Sequence, residues 1–455
     1  MTNTSIVWFR QDLRLADQAA VAAATARGPW LGVYVLDDDG AGAWAMGAAQ
    51  RWWLHHSLES LGTAISALGG RMILRKGHTV DELGRIAAVT GADEIHALRH
   101  YEPWWKDAEA VVAEALNLRL HDGGRLAQPT SVRTGAGGRY RMFTPYWRTL
   151  KAQMPPPRPL PAPQRIAAPA GNIGSDALSD WGLLPVADWS KGFDVWKPGE
   201  VGARTALQGF LPLMAGYDHD RDRPSVDGTS CLSPHLHFGE ISPAELWHRA
   251  IATARSGAEP WLRQLGWRDF CANIVDIIPD YGDANGRSGF DAFRWRAGPA
   301  ADRDFLAWTR GRTGYPIVDA GMRQLWATGF MHNRVRMIAA SFLIKHLLID
   351  WRRGERWFWD TLVDADYPCN AVNWQWVAGT GIDSNPFGRI MAPLIQSPKF
   401  DAGNYIRRWV PELATLKGDA IHDPASAGLR VAGYPEPLIG HRAARDRALA
   451  ASALI

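Results

Sequence analysis

The side chains with the most chemical capacity crowd into one stretch, Gly329 to Trp376, which reads GFMHNRVRMIAASFLIKHLLIDWRRGERWFWDTLVDADYPCNAVNWQW. Its first half sets His332, Asn333, Arg334 and Arg336 among the apolar Met331, Val335, Ile338 and Phe342. The apolar spacings of three and four predict one buried helix from Gly329 to Leu348. Between Arg323 and Arg356 stand seven Lys or Arg and only two acids. The second half ends in Asp364-Ala365-Asp366, followed by Asn370, Asn373, Trp374, Gln375 and Trp376. A buried carboxylate finds a partner or takes up a proton, and Arg336 is the expected partner of Asp364. Asp364 and Asp366 are also spaced as a carboxylate pair for hydrolysis. The expected Arg336 contact argues against that use, because an ion-paired carboxylate is a weak base. Each of these residues alone reads as a core ion pair or a turn residue. Together they are poor core filler, since every buried polar group and indole N–H needs a partner.

Elsewhere there is no Ser-His-Asp order, no metal-ligand cluster and no acid–base dyad with a clear role. Thr229-Ser230-Cys231-Leu232-Ser233-Pro234 offers three hydroxyls and a Ser-Pro helix start. Backbone N–H groups at a helix N-terminus with hydroxyls beside them make an anion site suited to a diphosphate, although taken alone the segment reads first as an ordinary helix cap.

The elements that must position these residues divide into two patterns. Apolar strand candidates at Ser5–Phe9, Trp30–Leu36, Arg71–Arg75, Glu94–Leu98 and Leu118–His121 alternate with helical patterns around Ala16–Ala26, Arg51–Leu68, Val80–Thr90 and Pro103–Ala115. That alternation predicts a doubly wound parallel sheet. No dinucleotide fingerprint follows the first strand, and Gly135-Ala136-Gly137-Gly138 reads as a loop. Pro155–Pro163 is polyproline-like and extended, expected to run over the surface. From about residue 200 the pattern is helical, with Ser242-Pro243-Ala244-Glu245 as a capping box. The expected organisation is an α/β domain over 1–130, a link over 131–199 and an all-α domain over 200–455.

Composition narrows the classes. The chain has 455 residues and a net charge of +3, so nucleic-acid contact requires a local basic patch. Three cysteines, Cys231, Cys271 and Cys369, lie far apart and form no disulfide framework, which fits a reducing cytoplasm. The N-terminus runs straight into a strand without a signal peptide. The longest apolar run, Met337 to Ile349, is interrupted by Lys345 and His346 and is too short to span a bilayer. Tryptophan, at 23 residues, exceeds what packing asks for and fits stacking surfaces or stepping stones for electrons.

The motifs GFMHNRVRMIAASFLIKHLLIDW, DADYPCNAVNWQW and TGYPIVDAGMRQL resemble the flavin-binding domain of the DNA photolyase/cryptochrome family, and IVWFRQDLRLAD resembles its opening. The likeness covers nearly the whole chain and is strongest to bacterial cyclobutane pyrimidine dimer photolyases. It implies an N-terminal antenna domain and bound FAD. The FAD phosphates would be held by Thr229, Ser230, Cys231, Leu232 and Ser233, with Tyr217 also on the nucleotide. The flavin and ribityl part would lie on Arg336, Asp364, Ala365 and Asp366, with Asn370 facing N5. An amide there accepts or donates and adds no charge beside an anionic reduced flavin. Trp374, Trp351 and Trp295 match the chain that carries an electron from the surface to oxidised flavin, Trp295 only with a short insertion. Trp308 reads as packing.

The same resemblance implies light-dependent repair of UV-damaged DNA by a monomer. Trp267 and Trp376 match the tryptophans that stack on a flipped-out lesion, and Arg221, Arg334 and Gln396 match DNA contacts. Asn333 and Met337 match the cyclobutane-dimer enzymes, where (6-4) enzymes carry histidines. Gln264 departs from that pattern: cyclobutane-dimer enzymes usually have glutamate there, and glutamine is more usual in (6-4) enzymes. The segment WAMGAAQRWWL, with Trp44, Met46, Gly47, Arg51, Trp52, Trp53 and Leu54, resembles a deazaflavin- or FMN-type antenna pocket rather than a folate type. The Asn-Glu pair of the folate type is replaced by Tyr101-Glu102-Pro103-Trp104-Trp105. Rival readings are a cryptochrome-type photoreceptor, a (6-4) photolyase and a generic flavoprotein oxidoreductase. The missing nicotinamide fingerprint opposes the last.

Overall fold

The computed structural model describes residues 3–171, 173–384, 387–401 and 403–453. Five strands, β1 (Ser5–Phe9), β2 (Trp30–Leu36), β3 (Met72–Lys76), β4 (Glu94–Leu98) and β5 (Leu118–His121), form one parallel sheet in the order β3-β2-β1-β4-β5. Registers run Ser5 to Trp30 and Ser5 to Glu94, which makes β1 the central strand. Every residue of β1 and β2 is buried, as strands covered on both faces require. Helices α1 (Ala19–Arg27), α2 (Ala48–Ala67), α3 (Thr79–Thr90) and α4 (Pro103–Ala115) follow the first four strands in turn. The core between sheet and helices includes Ile6, Trp8, Val33, Ile86, Trp105 and Val112. Helix α1 begins three residues later than the pattern predicts. Asp17 adopts a left-handed φ of 48°, and Gln18 caps the helix by accepting from the Ala20 N–H.

The IVWFRQDLRLAD motif is a buried staple. The Arg10 guanidinium lies 4.1 Å over the Trp8 ring and 2.6 Å from Glu109. Asp12 accepts from the Arg10 backbone N–H at 2.6 Å and from Gln18 at 2.8 Å. Arg14 donates to the carbonyls of Gly239 and Gly123.

The chain's contacts group it into two units. The first comprises Met1–Asp188, Trp196–Ala215 and Ser230–Pro279; the second comprises Trp189–Val195, Gly216–Thr229 and Asp280–Ile455. The sheet unit also contains α5 (Phe143–Ala152), α6 (Ser233–His237), α7 (Pro243–Ala254) and α8 (Glu259–Ile277). Residues 131–199 therefore hold a helix as well as extended chain. Pro155–Pro163 is extended and mostly exposed. Ser242 caps α7 by accepting from the Glu245 N–H at 3.0 Å.

The second unit is helical. Its elements include α9 (Pro316–Thr328), α10 (Asn333–Ser341), α11 (Trp351–Thr361), α12 (Tyr367–Ala378), α13 (Pro393–Phe400) and α14 (His441–Ser452). The single helix expected from Gly329 to Leu348 does not form. Gly329 closes α9 at φ 66°, and His332 opens α10 by accepting from the Arg334 N–H. After Ser341 the helix widens into a π turn over Phe342–His346, and Leu348 ends it at φ 52°. Periodicity cannot report these breaks, because apolar residues continue through all of them. The TGYPIVDAG motif is a cap: the Asp319 carboxylate accepts from the Thr313 and Gly314 N–H groups and from the Tyr434 hydroxyl. The C-terminal segment docks through Tyr434, through His441 on His346 at 2.9 Å, and through Arg447 on the His346 carbonyl.

Candidate functional site

In the helical unit, Arg336 and Asp364 form the expected pair, with two parallel N–H···O bonds of 3.0 and 2.9 Å. Arg336 Nε also donates to the Met331 carbonyl at 2.6 Å, so all three guanidinium nitrogens hold a partner. Asp366 has a different task. It caps α12, its carboxylate accepting from the Cys369 N–H at 3.0 Å. One carboxylate is ion-paired and the other is a cap, which removes the hydrolytic pair reading. Ala365 between them is buried.

The cap turns Asn370 inward on the first turn of α12, where it is 8% exposed. Its Nδ2 donates to the Glu355 carbonyl at 3.2 Å, and its Oδ1 has no partner among the described residues. Glu355 is a residue that sequence reasoning missed. It is fully buried, and neither carboxyl oxygen has a hydrogen-bond partner among the described residues. Burial pushes it well above the ordinary carboxyl range and favours the neutral acid. The only sequence signal was a lone acid inside the aromatic run WRRGERWFW.

Trp374 and Trp351 are buried and Trp295 is partly exposed. The Trp351 N–H donates to Asn285 Oδ1 at 3.1 Å, and Trp295 packs on Phe293 with centroids 4.3 Å apart. Gly354 leaves room for the Trp374 ring, since a Cβ there would stand 2.2 Å from its Cη2. Trp374 also meets Phe358 at 4.9 Å and Trp308 at 6.3 Å, and the Trp308 N–H bonds the Ala339 carbonyl at 3.0 Å.

On α10, Asn333 is exposed and Met337 half-buried, one turn apart, with Asn333 Nδ2 3.9 Å from Met337 Sδ. Trp376 is half-buried on α12, and Gln396 half-buried on α13. Arg334 is not a free cation: it lies 2.5 Å from Asp222 and 4.4 Å over the Phe400 ring. Arg221 stacks on Tyr217 at 5.2 Å. The His332 imidazole is spent as a cap through Nδ1, and burial pushes it down to about 4, so it is neutral at pH 7. Tyr217 is buried and Thr229 half-buried in this unit.

In the sheet unit, Cys231 takes a left-handed φ of 50°, and α6 begins at Ser233 after Leu232. The N-cap position falls on Leu232, which has no side-chain oxygen and makes no side-chain cap bond, so the cap is not one of the three hydroxyl residues. Ser230 Oγ accepts from the Trp261 N–H at 3.4 Å. Gln264 is half-buried, and its Nε2 donates to the Pro260 carbonyl at 3.2 Å. Trp267 is half-buried and meets Phe143 edge-on at 4.9 Å. In the WAMGAAQRWWL segment, Trp44 and Trp52 are buried, while Arg51 donates to the Met46 carbonyl and to Asp38. Trp53 is core: its N–H bonds Glu240 at 2.9 Å and its ring stacks on Phe238.

A doubly wound sheet unit and a helical unit carrying a buried Arg–Asp pair, an inward amide and a run of indoles define a two-part, cofactor-type architecture. Residues 5–164 match the family model described as DNA photolyase, and residues 261–453 match that described as the FAD binding domain of DNA photolyase. The chain belongs to the DNA photolyase family. It is 46% identical over 473 residues to the deoxyribodipyrimidine photo-lyase of Agrobacterium fabrum, covering 99% of this chain and 98% of that one. The crystal structure of a bacterial class III photolyase from Agrobacterium tumefaciens superposes with a TM-score of 0.94 at 46% identity, covering 100% of this chain and 98% of the other. An archaeal photolyase from Sulfolobus tokodaii, solved with two FAD molecules, superposes with a TM-score of 0.84 at 26% identity, covering 99% and 100%. Among the described residues no helix is long and apolar enough to cross a membrane.

Proposed function

We propose that the protein is a light-dependent cyclobutane pyrimidine dimer photolyase, acting as a monomer on UV-damaged DNA in the cytoplasm. Reduced FAD, when bound, would lend a light-driven electron to the flipped-out dimer and take it back once the ring has split into two pyrimidines. The residues that would hold it are Tyr217, Thr229–Ser233, Arg336, Asp364–Asp366 and Asn370. The unpartnered Oδ1 of buried Asn370 fits that group: it is an acceptor placed to receive a flavin N–H, with the amide nitrogen fixed by Glu355. Arg336 holds Asp364 in place, and Asp366 fixes the entry of α12 so that the amide is aimed before the cofactor arrives.

The observation that carries the lesion class is the pairing of Asn333 with Met337 on one face of α10, without a histidine at either position. Trp267 and Trp376 would stack on the flipped bases, with Gln264 hydrogen-bonding them. Arg221, Arg334 and Gln396 would contact the strand, Arg334 after exchanging Asp222 for a phosphate. A second chromophore of deazaflavin or FMN type would lie against Trp44, Met46, Gly47, Arg51 and Trp52. The deciding experiment is repair of defined thymine-dimer and (6-4) oligonucleotides, in light and in darkness. Light-dependent loss of the cyclobutane dimer alone is expected. Repair of only the (6-4) lesion, or of neither, overturns the reading.

A further inference from the structure

Sequence spacing points to no metal-ligand cluster, yet on α2 three side chains with ligand atoms come together. Ligand atoms of His55, His56 and Glu59 all lie within 4.8 Å of one another. At about 100° per residue, position 59 falls between 55 and 56 around the helix, so its carboxylate faces both imidazoles. His56 Nδ1 is 3.8 Å from Glu59 Oε2. The two rings stand at 82° with centroids 5.2 Å apart, and Trp52 supports His56 edge-on at 4.6 Å. The second observation is that His55 Nδ1 is buried with no hydrogen-bond partner among the described residues. A buried ring nitrogen left unpaired costs free energy unless something binds it. A groove of about 820 Å³ opens along the same helix, with His55, Glu59, Ser66, Ser175 and Ser179 among the residues lining it.

We propose that His55, His56 and Glu59 bind one divalent transition-metal ion of the zinc class, with a coordination position left open to the groove. Two imidazoles and one carboxylate suit zinc, nickel or copper(II) and are too nitrogen-rich for magnesium or calcium. Binding would require the three ligand atoms to draw in from their 4.8 Å spread, and Glu59, the most exposed of the three, has the most room to turn. None of the three ligands belongs to the FAD or lesion residues, although Trp52, which supports His56, also belongs to the second-chromophore pocket.

The test uses the full-length, flavin-loaded chain stripped of metal. Zinc chloride is titrated in by calorimetry, cobalt(II) is added for its visible d–d bands, and His55→Gln, Glu59→Gln and the double variant are run in parallel. The expected result is one zinc per chain in the wild type, at least a tenfold weaker constant in each single variant and no binding in the double variant. Flavin content should be equal throughout, which shows that the variants fold. Zinc binding of the same strength in the double variant, or no binding in the wild type, overturns the proposal. Octahedral cobalt spectra unchanged from free aquo ion would overturn it as well.

Discussion

The Nδ2 of Asn370 donates to the backbone carbonyl of Glu355 at 3.2 Å, which leaves the amide one free end, and that end is an acceptor. In Asn370→Asp the side chain can no longer donate to that carbonyl, and a carboxylate replaces the neutral acceptor. Two like charges about 4 Å apart repel by about 1–4 kcal/mol for effective dielectrics from 80 to 20, so a carboxylate beside an anionic reduced flavin disfavours it. The variant is expected to lower the flavin reduction potential and to slow repair. A spectroelectrochemical titration that gives the wild-type potential would show that Asn370 does not face the flavin.

Trp374 is buried against Phe358 and Trp308, and its ring is the inner member of the surface-to-flavin electron route that we propose. Trp374→Phe is expected to block photoreduction of oxidised FAD while chemically reduced enzyme repairs nearly as well as wild type. Trp308→Phe is expected to spare photoreduction and to cost roughly 1–3 kcal/mol in stability, through the lost bond to Ala339 and the smaller ring. Flash photolysis and chemical denaturation separate the two. Equal loss of photoreduction and repair in Trp374→Phe would make that residue structural.

Gln264 donates to the Pro260 carbonyl on its own helix, a bond that a carboxylate cannot make. Gln264→Glu should therefore swing free of the helix and accept from a lesion N3–H. A charged hydrogen bond contributes about 1.5–3 kcal/mol against about 0.5–1.5 for a neutral one. The expected outcome is unchanged lesion specificity with a modest rise in repair yield per absorbed photon on a thymine-dimer oligonucleotide. A gain of (6-4) repair would contradict it.

His332 is held near 4 in the folded state by burial, against 6.5 unfolded. Between those values the folded protein binds fewer protons, so stability rises with pH and is lost on acidification from about 6.5 toward 4. The loss from this group is at most on the order of 3 kcal/mol. His332→Asn keeps a side-chain acceptor for the Arg334 N–H but cannot titrate. Denaturation midpoints of the variant should fall less than those of wild type across that window. Parallel curves would assign the acid sensitivity elsewhere, for instance to His346, which burial pushes down to about 3.

Much of this protein could be read from its residues. The apolar runs of β1 and β2 and the alternation with helices announced the parallel sheet, because strands buried on both faces need continuous apolar sequence. The ion pair of Arg336 with Asp364 followed from the cost of burying either charge alone. The family resemblance rested on long motifs whose polar residues sit where packing alone would not put them. What the residues could not convey was where a uniform pattern breaks. Gly329 to Leu348 stays apolar through a helix end, a cap and a π turn, so its period is silent about all three. Nor does spacing reveal which hydrogen-bonding groups are already spent. Asp366 as a cap, Arg334 on Asp222, Trp53 on Glu240 and the unpartnered Glu355 are outcomes of long-range approach. So is the choice of His55 Nδ1 as a nitrogen left without a donor or acceptor. Residue types set which bonds are possible; only the packed chain, where each polar atom competes for the nearest partner, decides which are made.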